Sequence, residues 1–423
     1  MGNLESFPIS EGINFRYIKD SKFKSTRISA SIFLPLDKKT VSLNALLFLI
    51  LKHSCKKYPS FLELNKKLES LYGASLDCSI NKVGENQVFT IVASGIDDKY
   101  VLDNMTISRE LSGLVCNILC FPDLEQEMFK SKIIEQERRQ LLEILELEFN
   151  DKRTYSRNRL EELMCKDELF SINKYGTKED INAITGEMLV DAWKNMLKTA
   201  KIEIFMLGEC TCYKEVIEEF TKAFSNIDRE YKDNYNTNVI LKADDTKEFV
   251  DEMDVVQSKL VIGFRAGTSK PNEDVVSARV MTALFGGTPS SKLFLNVREK
   301  LSLCYYCSSS VDLDKGIMVV ESGVESKNIE KAKKQIIKEL EDIKNGDFTD
   351  EDLEAVKKQL INSFITVNDY IDRMIYYYIG QLLYKDIKSL DEMADLVSKV
   401  TREEVIESAR KVSLDTIYVL KSK

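Results

Sequence analysis

The hydrophobic and polar positions of this chain recur in one order in its two halves. Alternating positions predict strands, and apolar residues at helical spacing predict helices. The predicted elements of the first half are a strand at 27–34, helices at 42–54 and 61–71, and strands at 74–80 and 87–94. Those of the second half are a strand at 259–264, helices at 275–285 and 290–300, and strands at 305–311 and 316–321. The repetition predicts an internal duplication.

Long charged helical segments close each half, at 124–163 in the first and at 328–344 and 349–360 in the second. This order predicts an α+β unit in each half, with a mostly antiparallel sheet and helices on one face. Residues 226–249 are polar and predict a linker. We therefore predict an N-terminal half at 1–225 and a C-terminal half at 250–423, arranged as a clam around a central chamber that is the natural ligand site.

Composition and charge exclude several classes of protein. The 423 residues carry a net charge of −9, which is unfavourable for binding nucleic acid. No apolar run reaches the ~18 residues that a membrane span needs, and the N-terminus lacks the basic and apolar regions of a signal peptide. The nine cysteines are odd in number, which is typical of reduced thiols. These features predict a cytoplasmic protein.

Histidine occurs once in the chain, at His53. This excludes hydrolytic zinc sites built on two or three histidines, and a serine or cysteine nucleophile would have to use His53 as its base. His53 and Cys55 together offer two ligands, which cannot close a tetrahedral metal site. We interpret His53 as a solvated residue at a helix end.

Two pairs of cysteines have spacings that suggest a redox motif or a pair of metal ligands. Cys304 and Cys307 fit a C-x-x-C redox pattern, but positions three apart in a strand are expected to point to opposite faces. Cys116 and Cys120 share a helical face and again offer two ligands. Both pairs are interpreted as core thiols, and the chain is predicted to bind no metal.

Three stretches of the sequence resemble the pitrilysin (insulinase) family of inverzincin peptidases, in its processing-peptidase branch. They are residues 56–60 with 68–76, residues 135–138 at the start of a long helix, and residues 284–294 with 297–305. The last stretch, which begins Leu-Phe-Gly-Gly-Thr-Pro, is the most specific. The resemblance covers nearly the whole chain and implies a duplicated fold and peptidase ancestry.

The resemblance also implies where a zinc site would lie. The family places H-x-x-E-H on its first helix, with two histidines as ligands and the glutamate as general base. The matching positions here are Ala45 and Leu49 for the ligands and Phe48 for the base, and the third ligand position is Ile144. Glu143 is one residue away, which on a helix turns its side chain by about 100°. The resemblance therefore implies a noncatalytic member that has lost its zinc site.

Arg298 and Tyr305 match an arginine–tyrosine pair that the family carries in its second half, seven residues apart. In active relatives this pair reaches the substrate at the zinc centre. Some members are heterodimers in which one subunit holds zinc and the other supplies the pair. The resemblance thus implies a substrate-binding subunit that complements a homologous, zinc-bearing partner, bound to a peptide that adds to the edge of the strand near 74–80.

Two other readings remain open. The chain could be a stand-alone peptide-binding or scaffold protein derived from a peptidase, since similar bacterial subunits are described as associated with elongation factor P modification. It could also carry unrelated chemistry in the same chamber, although no motif supports this. Whether the isolated chain forms a homodimer is also open.

Overall fold

A computed structural model describes residues 4–384 and 387–423 of the chain. The chain divides into two compact units. The first comprises Met1–Leu145 and Ile172–Tyr235, and the second comprises Glu146–Ser171 and Asn236–Lys423. The units therefore differ from the predicted halves, because residues 146–171 join the second unit and residues 236–249 belong to it as well.

The secondary structure is mixed, as the sequence predicts. The strands are β1 (Leu4–Ser10), β2 (Ile13–Lys19), β3 (Ser25–Pro35), β4 (Ser75–Val83), β5 (Asn86–Ile96), β6 (Leu124–Glu125), β7 (Met128–Phe129), β8 (Lys201–Gly208), β9 (Lys247–Met253), β10 (Ser258–Arg265), β11 (Cys304–Asp312), β12 (Ile317–Val324) and β13 (Ser413–Ser422). The helices are α1 (Val41–Leu51), α2 (Phe61–Ser70), α3 (Ile107–Cys120), α4 (Ser131–Asn150), α5 (Lys152–Met164), α6 (Lys178–Ala183), α7 (Gly186–Thr199), α8 (Tyr213–Phe224), α9 (Val275–Thr282), α10 (Ile329–Lys344), α11 (Asp350–Asn368), α12 (Ile371–Ile379), α13 (Leu390–Lys399) and α14 (Arg402–Lys411). Two π-helical segments, Ala283–Gly287 and Leu293–Lys300, follow α9.

The sheets of the two units have matching strand orders, which confirms the duplicated α+β fold. The first sheet runs β1-β2-β8-β3-β5-β4, and the second runs β9-β13-β10-β12-β11 when read in the same direction. In each sheet one pair is parallel, β2 with β8 and β13 with β9, and the other pairs are antiparallel. Strand β4 of the first sheet therefore corresponds to β11 of the second, and each is the last strand of its sheet.

Helix α1 is embedded in the core of the first unit. Its residues Val41–Leu51 are apolar around almost the whole helix, and a helix of that composition is stable only when it is buried on all sides. Polar groups near its start are satisfied, since the Gln87 side chain donates to the Val41 carbonyl oxygen at 3.1 Å. Helix α1 thus serves as a core element of the first unit.

Helix α5 packs on the sheet of the second unit, although it lies in the first half of the sequence. Its N-cap Asp151 accepts hydrogen bonds from the first helical N–H groups. Gly263 on β10 permits the close approach, because a Cβ there would lie 2.6 Å from the Met164 sulfur. Leu160 of α5 joins a buried cluster with Val261 of β10. The opposite face of β10 is also covered, since Phe264 meets Phe285 edge to face.

A buried ion network fixes the turn that follows α5. Arg265 of β10 donates to Glu168 at 2.8 Å, to the Met164 carbonyl oxygen at 3.1 Å and to Asp415 of β13 at 2.7 Å. The Lys315 ammonium lies 2.6 Å from Glu168. Burying these charges is favourable only because each is paired and hydrogen-bonded. The network ties residues 164–168 to two strands of the second sheet.

Candidate functional site

The zinc-motif positions on α1 are apolar and buried. Ala45, Phe48 and Leu49 are 0%, 1% and 5% exposed, and all three belong to the main hydrophobic cluster of the first unit. The Phe48 ring stacks on Phe89 of β5 with ring centroids 4.6 Å apart. Side chains without nitrogen, oxygen or sulfur cannot bind zinc or accept a proton from water. The residues present therefore do not fit a zinc ion, and no metal chemistry is assigned to this helix.

The third ligand position lies on α4. Ile144 is half-buried and packs against the same hydrophobic cluster. Its neighbour Glu143 is exposed, whereas Leu141 is fully buried. This arrangement agrees with the rotation of about 100° per residue on a helix. Glu143 is therefore directed to solvent and not towards the former site.

Glu137 on α4 is a buried carboxylate whose burial the sequence analysis did not anticipate. It is 2% exposed, and one of its oxygens accepts from Gln136 at 3.3 Å. Its other oxygen has no hydrogen-bond partner among the described residues. Burial raises the pKa of Glu137, and the nearby Lys52 ammonium opposes that rise. The signal that could have found it is its place, with Leu141, on the apolar stripe of α4.

His53 lies just after α1, as predicted, but it is half-buried and not fully solvated. Its ring is 5.6 Å from that of Phe61, and its Nδ1 has no hydrogen-bond partner within residues 4–384 and 387–423. Burial lowers the pKa of His53, and the positive charges of Lys52 and Lys130 lower it further. The imidazole is therefore neutral at pH 7.

Arg298 lies on the π-helical segment Leu293–Lys300, which is anchored by buried Leu293 and Val297. Its side chain is 41% exposed. The guanidinium stacks over the Phe294 ring at 4.7 Å from the centroid and lies 3.5 Å from a Glu299 carboxylate oxygen. Stacking on one face leaves the planar N–H groups available to bind a carbonyl or carboxylate.

Tyr305 lies at a β-bulge in the edge strand β11. Cys304 pairs with Val324 and Tyr306 with Gly323, so that Tyr305 has no partner of its own on β12. Its side chain is 64% exposed and lines a cleft of about 750 Å³ in the second unit. Other residues that line the cleft are Lys152, Gln257, Lys259, Glu325 and Ser422. The bulge therefore places Tyr305 among the residues that line this cleft.

The same bulge corrects the prediction for Cys304 and Cys307. The two side chains were expected on opposite faces of the strand, and this was wrong. Both are buried, and their thiols hydrogen-bond to each other, which lowers the pKa of Cys304 and raises that of Cys307. One extra residue in a strand reverses the alternation beyond it, so positions three apart reach the same face. Arg298 also lowers the pKa of Cys304, so this thiol lies within the field of the guanidinium.

Comparisons with known proteins bear on the family. Residues 183–360 match the family model described as the peptidase M16 inactive domain. The chain is 30% identical over 97% of its length to a probable inactive metalloprotease, YmfF, of Bacillus subtilis, and covers 96% of that protein. The chain belongs to the M16 peptidase family. It is also 24% identical over 56% of its length to an uncharacterized zinc protease, YmxG, of the same organism.

Solved structures share the fold of this chain. A conserved protein from Enterococcus faecalis V583 has a TM-score of 0.90 and 26% identity, and the match covers 100% of this chain and 99% of that one. A protease from Helicobacter pylori matches over the full length of both chains with a TM-score of 0.79 at 16% identity, which bears on the fold alone. Within the described parts of the chain, every helix is too short or too polar to cross a bilayer. At Ala45, Phe48, Leu49 and Ile144, the positions that the resemblance matches to the zinc motif, the chain carries apolar residues.

Proposed function

We propose that this chain is a noncatalytic, substrate-binding subunit of a heterodimeric zinc peptidase. In that assembly it supplies Arg298 and Tyr305 to the zinc site of a homologous partner subunit. The observation that carries the proposal is the contrast between the two sets of family positions. The positions matched to zinc ligands and base on α1 are apolar and buried, whereas Arg298 is partly exposed and Tyr305 is exposed.

The two side chains have complementary chemistry for peptide hydrolysis. A guanidinium binds a peptide carbonyl or a carboxylate through parallel N–H groups. A phenol donates a hydrogen bond to an oxygen that becomes negative in the transition state. Tyr305 has no partner on β12, and Arg298 contacts the Phe294 ring and the exposed Glu299 carboxylate, 3.5 Å away. Both can therefore meet a ligand without breaking an interaction that the second unit needs for folding.

An extended peptide has a suitable edge on the first unit. Strand β4 is the last in its sheet and pairs with β5 on one side. The outer N–H and C=O groups of such a strand can accept an added strand. The side chains of β4 alternate between exposed Ser75 and Asp77 and less exposed Leu76 and Cys78. We expect the substrate to pair with β4 as an additional antiparallel or parallel strand.

The occurrence of two unlike relatives in one organism supports a partner subunit. Bacillus subtilis has both the probable inactive metalloprotease YmfF and the zinc protease YmxG among the proteins that this chain is similar to. A cell with one chain of each kind has the components of a two-subunit peptidase. The partner expected here is an M16 homologue that carries H-x-x-E-H and the zinc ion.

The test is reconstitution of the peptidase with an H-x-x-E-H homologue from the same cell. The two chains are co-purified, their zinc content is measured, and turnover of a fluorogenic peptide library is recorded. We expect about one zinc per pair, carried by the partner. We expect Tyr305→Phe and Arg298→Ala each to lower kcat by about 10²–10³, as the loss of one oxyanion donor does in other hydrolases.

Matched controls separate chemistry from surface perturbation. Lys300→Ala removes a cation from the same π-helical segment, and Tyr370→Phe removes a hydroxyl from another exposed tyrosine. Neither should change turnover. Unchanged turnover in both Arg298→Ala and Tyr305→Phe would refute the role of the pair. Peptide binding by the isolated chain, with no association with the zinc homologue, would favour the stand-alone scaffold.

A further inference from the structure

Cys210 and Cys212 form a thiol pair at the end of β8 that plays no part in the proposed function. Their sulfur atoms are 3.4 Å apart. Cys210 is 4% exposed, whereas Cys212 is half-buried and lies at the N-cap of α8. Thr211 between them is exposed. Cys212 is thus partly exposed, and the buried Cys210 thiol lies next to it.

Ser108 places the N-terminus of α3 beside the Cys210 and Cys212 thiols. It lies in the first turn of α3, and its hydroxyl oxygen is 3.2 Å from the Cys212 sulfur and 3.3 Å from the Cys210 sulfur. The Ser108 backbone N–H donates to Asp98 at 3.0 Å, and its hydroxyl donates to the other oxygen of that carboxylate. The thiols therefore lie beside the N-termini of α3 and α8, where partial positive charge favours an anion.

The hydrogen bond between the two sulfur atoms shifts the pKa values of Cys212 and Cys210 in opposite directions. The bond with the Cys210 thiol is the main cause that lowers the pKa of Cys212 to about 7, although burial opposes it. Ser108 lowers it as well, whereas the negative charges of Asp98 and Glu215 raise it. The same thiol–thiol bond raises the pKa of Cys210, and burial raises it further. The hydroxyl proton of Ser108 goes to Asp98, so the Cys210 thiol lies within donating distance of two acceptors, the Ser108 oxygen at 3.3 Å and the Cys212 sulfur at 3.4 Å.

We propose that Cys212 and Cys210 form a reactive site for hydroperoxides, with Cys212 as the attacking thiolate and Cys210 as the resolving thiol. In the first step the Cys212 thiolate attacks the terminal peroxide oxygen and the O–O bond breaks. The other oxygen takes a proton from solvent and leaves as water or an alcohol, and Cys212 becomes a sulfenic acid. In the second step the Cys210 sulfur attacks the resulting sulfenic acid and releases water. The products are a Cys210–Cys212 disulfide and a peroxide reduced by two electrons.

The other cysteines lack this combination of features. Cys304 and Cys307 are hydrogen-bonded to each other, but both are at least nine-tenths buried. Cys116 and Cys120 on α3 are equally buried. Cys78 is half-buried, but burial raises its pKa to about 12. Reactivity needs a thiolate that solvent can reach, so Cys212 is the expected point of attack.

A metal ion is the alternative occupant of the cluster, since Asp98, Cys210 and Cys212 could together ligate one. Both Asp98 oxygens already accept hydrogen bonds from Ser108. Using the carboxylate as a ligand would break these bonds at the start of α3. The geometry therefore favours thiol chemistry over a zinc site.

The experiment treats the full chain, reduced and freed of metal by a chelator, with a small excess of hydrogen peroxide. We expect two of its nine free thiols to be lost, with a decrease in mass equal to two hydrogen atoms. Peptide mapping should find the bond between Cys210 and Cys212, and dithiothreitol should reverse it. In Cys210→Ser, a sulfenic acid at Cys212 should instead be trapped by dimedone.

Variants make the assignment specific. Cys212→Ser is a mild change, because serine is a favoured N-cap residue, and it should slow thiol loss at least tenfold. Cys78→Ser, the matched control at a half-buried thiol, should leave the reaction unchanged. Retention of all nine thiols, a disulfide mapped to Cys304 and Cys307, or one equivalent of metal that is lost in Cys210→Ser would each overturn the proposal.

Discussion

Two regions of this molecule carry the positions that the resemblance matches to a peptidase active site, and their surroundings differ. Helix α1 carries the positions of the zinc motif, and its residues Ala45, Phe48 and Leu49 are buried in the core of the first unit. The segment from Leu293 to β11 carries Arg298 and Tyr305, which remain exposed. Packing accounts for the first region completely. It does not account for the second, because an exposed arginine and an exposed phenol contribute little to stability.

The difference teaches how a peptidase half can lose its metal without losing its fold. Replacing polar ligands with apolar side chains removes buried groups that are costly without a metal, and adds contacts such as Phe48 on Phe89. The gain in stability is enough to explain apolar side chains at these positions. Side chains that remain polar and exposed, and whose backbone is set by a bulge, are better explained by a ligand.

The largest expected effect on the free energy of unfolding is that of a substitution at Phe48. Truncation by Phe48→Ala removes a fully buried ring that stacks on Phe89, and should lower the free energy of unfolding by about 3–5 kcal/mol. Urea unfolding followed by circular dichroism measures this change. Leu62→Ala is the control, since Leu62 lies on neighbouring α2 but is 63% exposed and should change stability by less than about 0.5 kcal/mol. A loss below about 1 kcal/mol at Phe48 would mean that α1 is not a core helix.

A smaller effect is expected at Asp312, in the hairpin that follows Tyr305. Burial raises the pKa of Asp312 to about 6, and the charges of Asp314 and Glu161 contribute. In the unfolded chain an aspartate titrates near 4, so the folded protein loses stability as the pH rises from about 4 to about 6. Asp312→Asn should remove this loss and raise the free energy of unfolding at pH 7 by about 1–2 kcal/mol.

Urea unfolding at a series of pH values between about 4 and 7 tests this. The variant should have the flatter profile over that interval, because the amide oxygen can still accept from the backbone N–H groups of Asp314 and Lys315. Asp395→Asn removes an exposed carboxylate on α13 and serves as the control, with an unchanged profile. Equal profiles for Asp312→Asn and the wild type would show that burial of the ionised Asp312 carboxylate does not destabilise the folded protein.

The smallest effects on stability are expected at Arg298 and Tyr305. Arg298→Ala and Tyr305→Phe should each change the free energy of unfolding by less than about 0.5 kcal/mol, because the Arg298 side chain is 41% exposed and Tyr305 is 64% exposed. Val297→Ala, at a fully buried neighbour on the same segment, should cost roughly 2 kcal/mol and shows that the assay can detect a change. A loss above about 1 kcal/mol for Arg298 or Tyr305 would give the pair a structural role and remove the contrast with α1.

The repeat of strands and helices was predictable because the buried face of each element places apolar residues at a regular spacing in the sequence. The pattern identified β3, α1, β5, β10 and β12 within a few residues. It missed β8 and β13, which enter the middle of each sheet from distant parts of the chain. Among the site residues, the apolar character of Ala45, Phe48, Leu49 and Ile144 needed no structure, whereas the burial of Glu137 did.

The sequence by itself determined the duplication, and it fixed the residue types at the positions that the resemblance matches to the zinc motif and to the arginine–tyrosine pair, because each of these depends on residue type at a given spacing. The tertiary structure alone decided that α5 packs on the second sheet, that a bulge turns Tyr305 outward, and that Ser108 meets Cys210 and Cys212. The physical reason is that periodicity records which face of an element is buried. It does not record which distant segment covers that face, or where a strand ladder gains a residue.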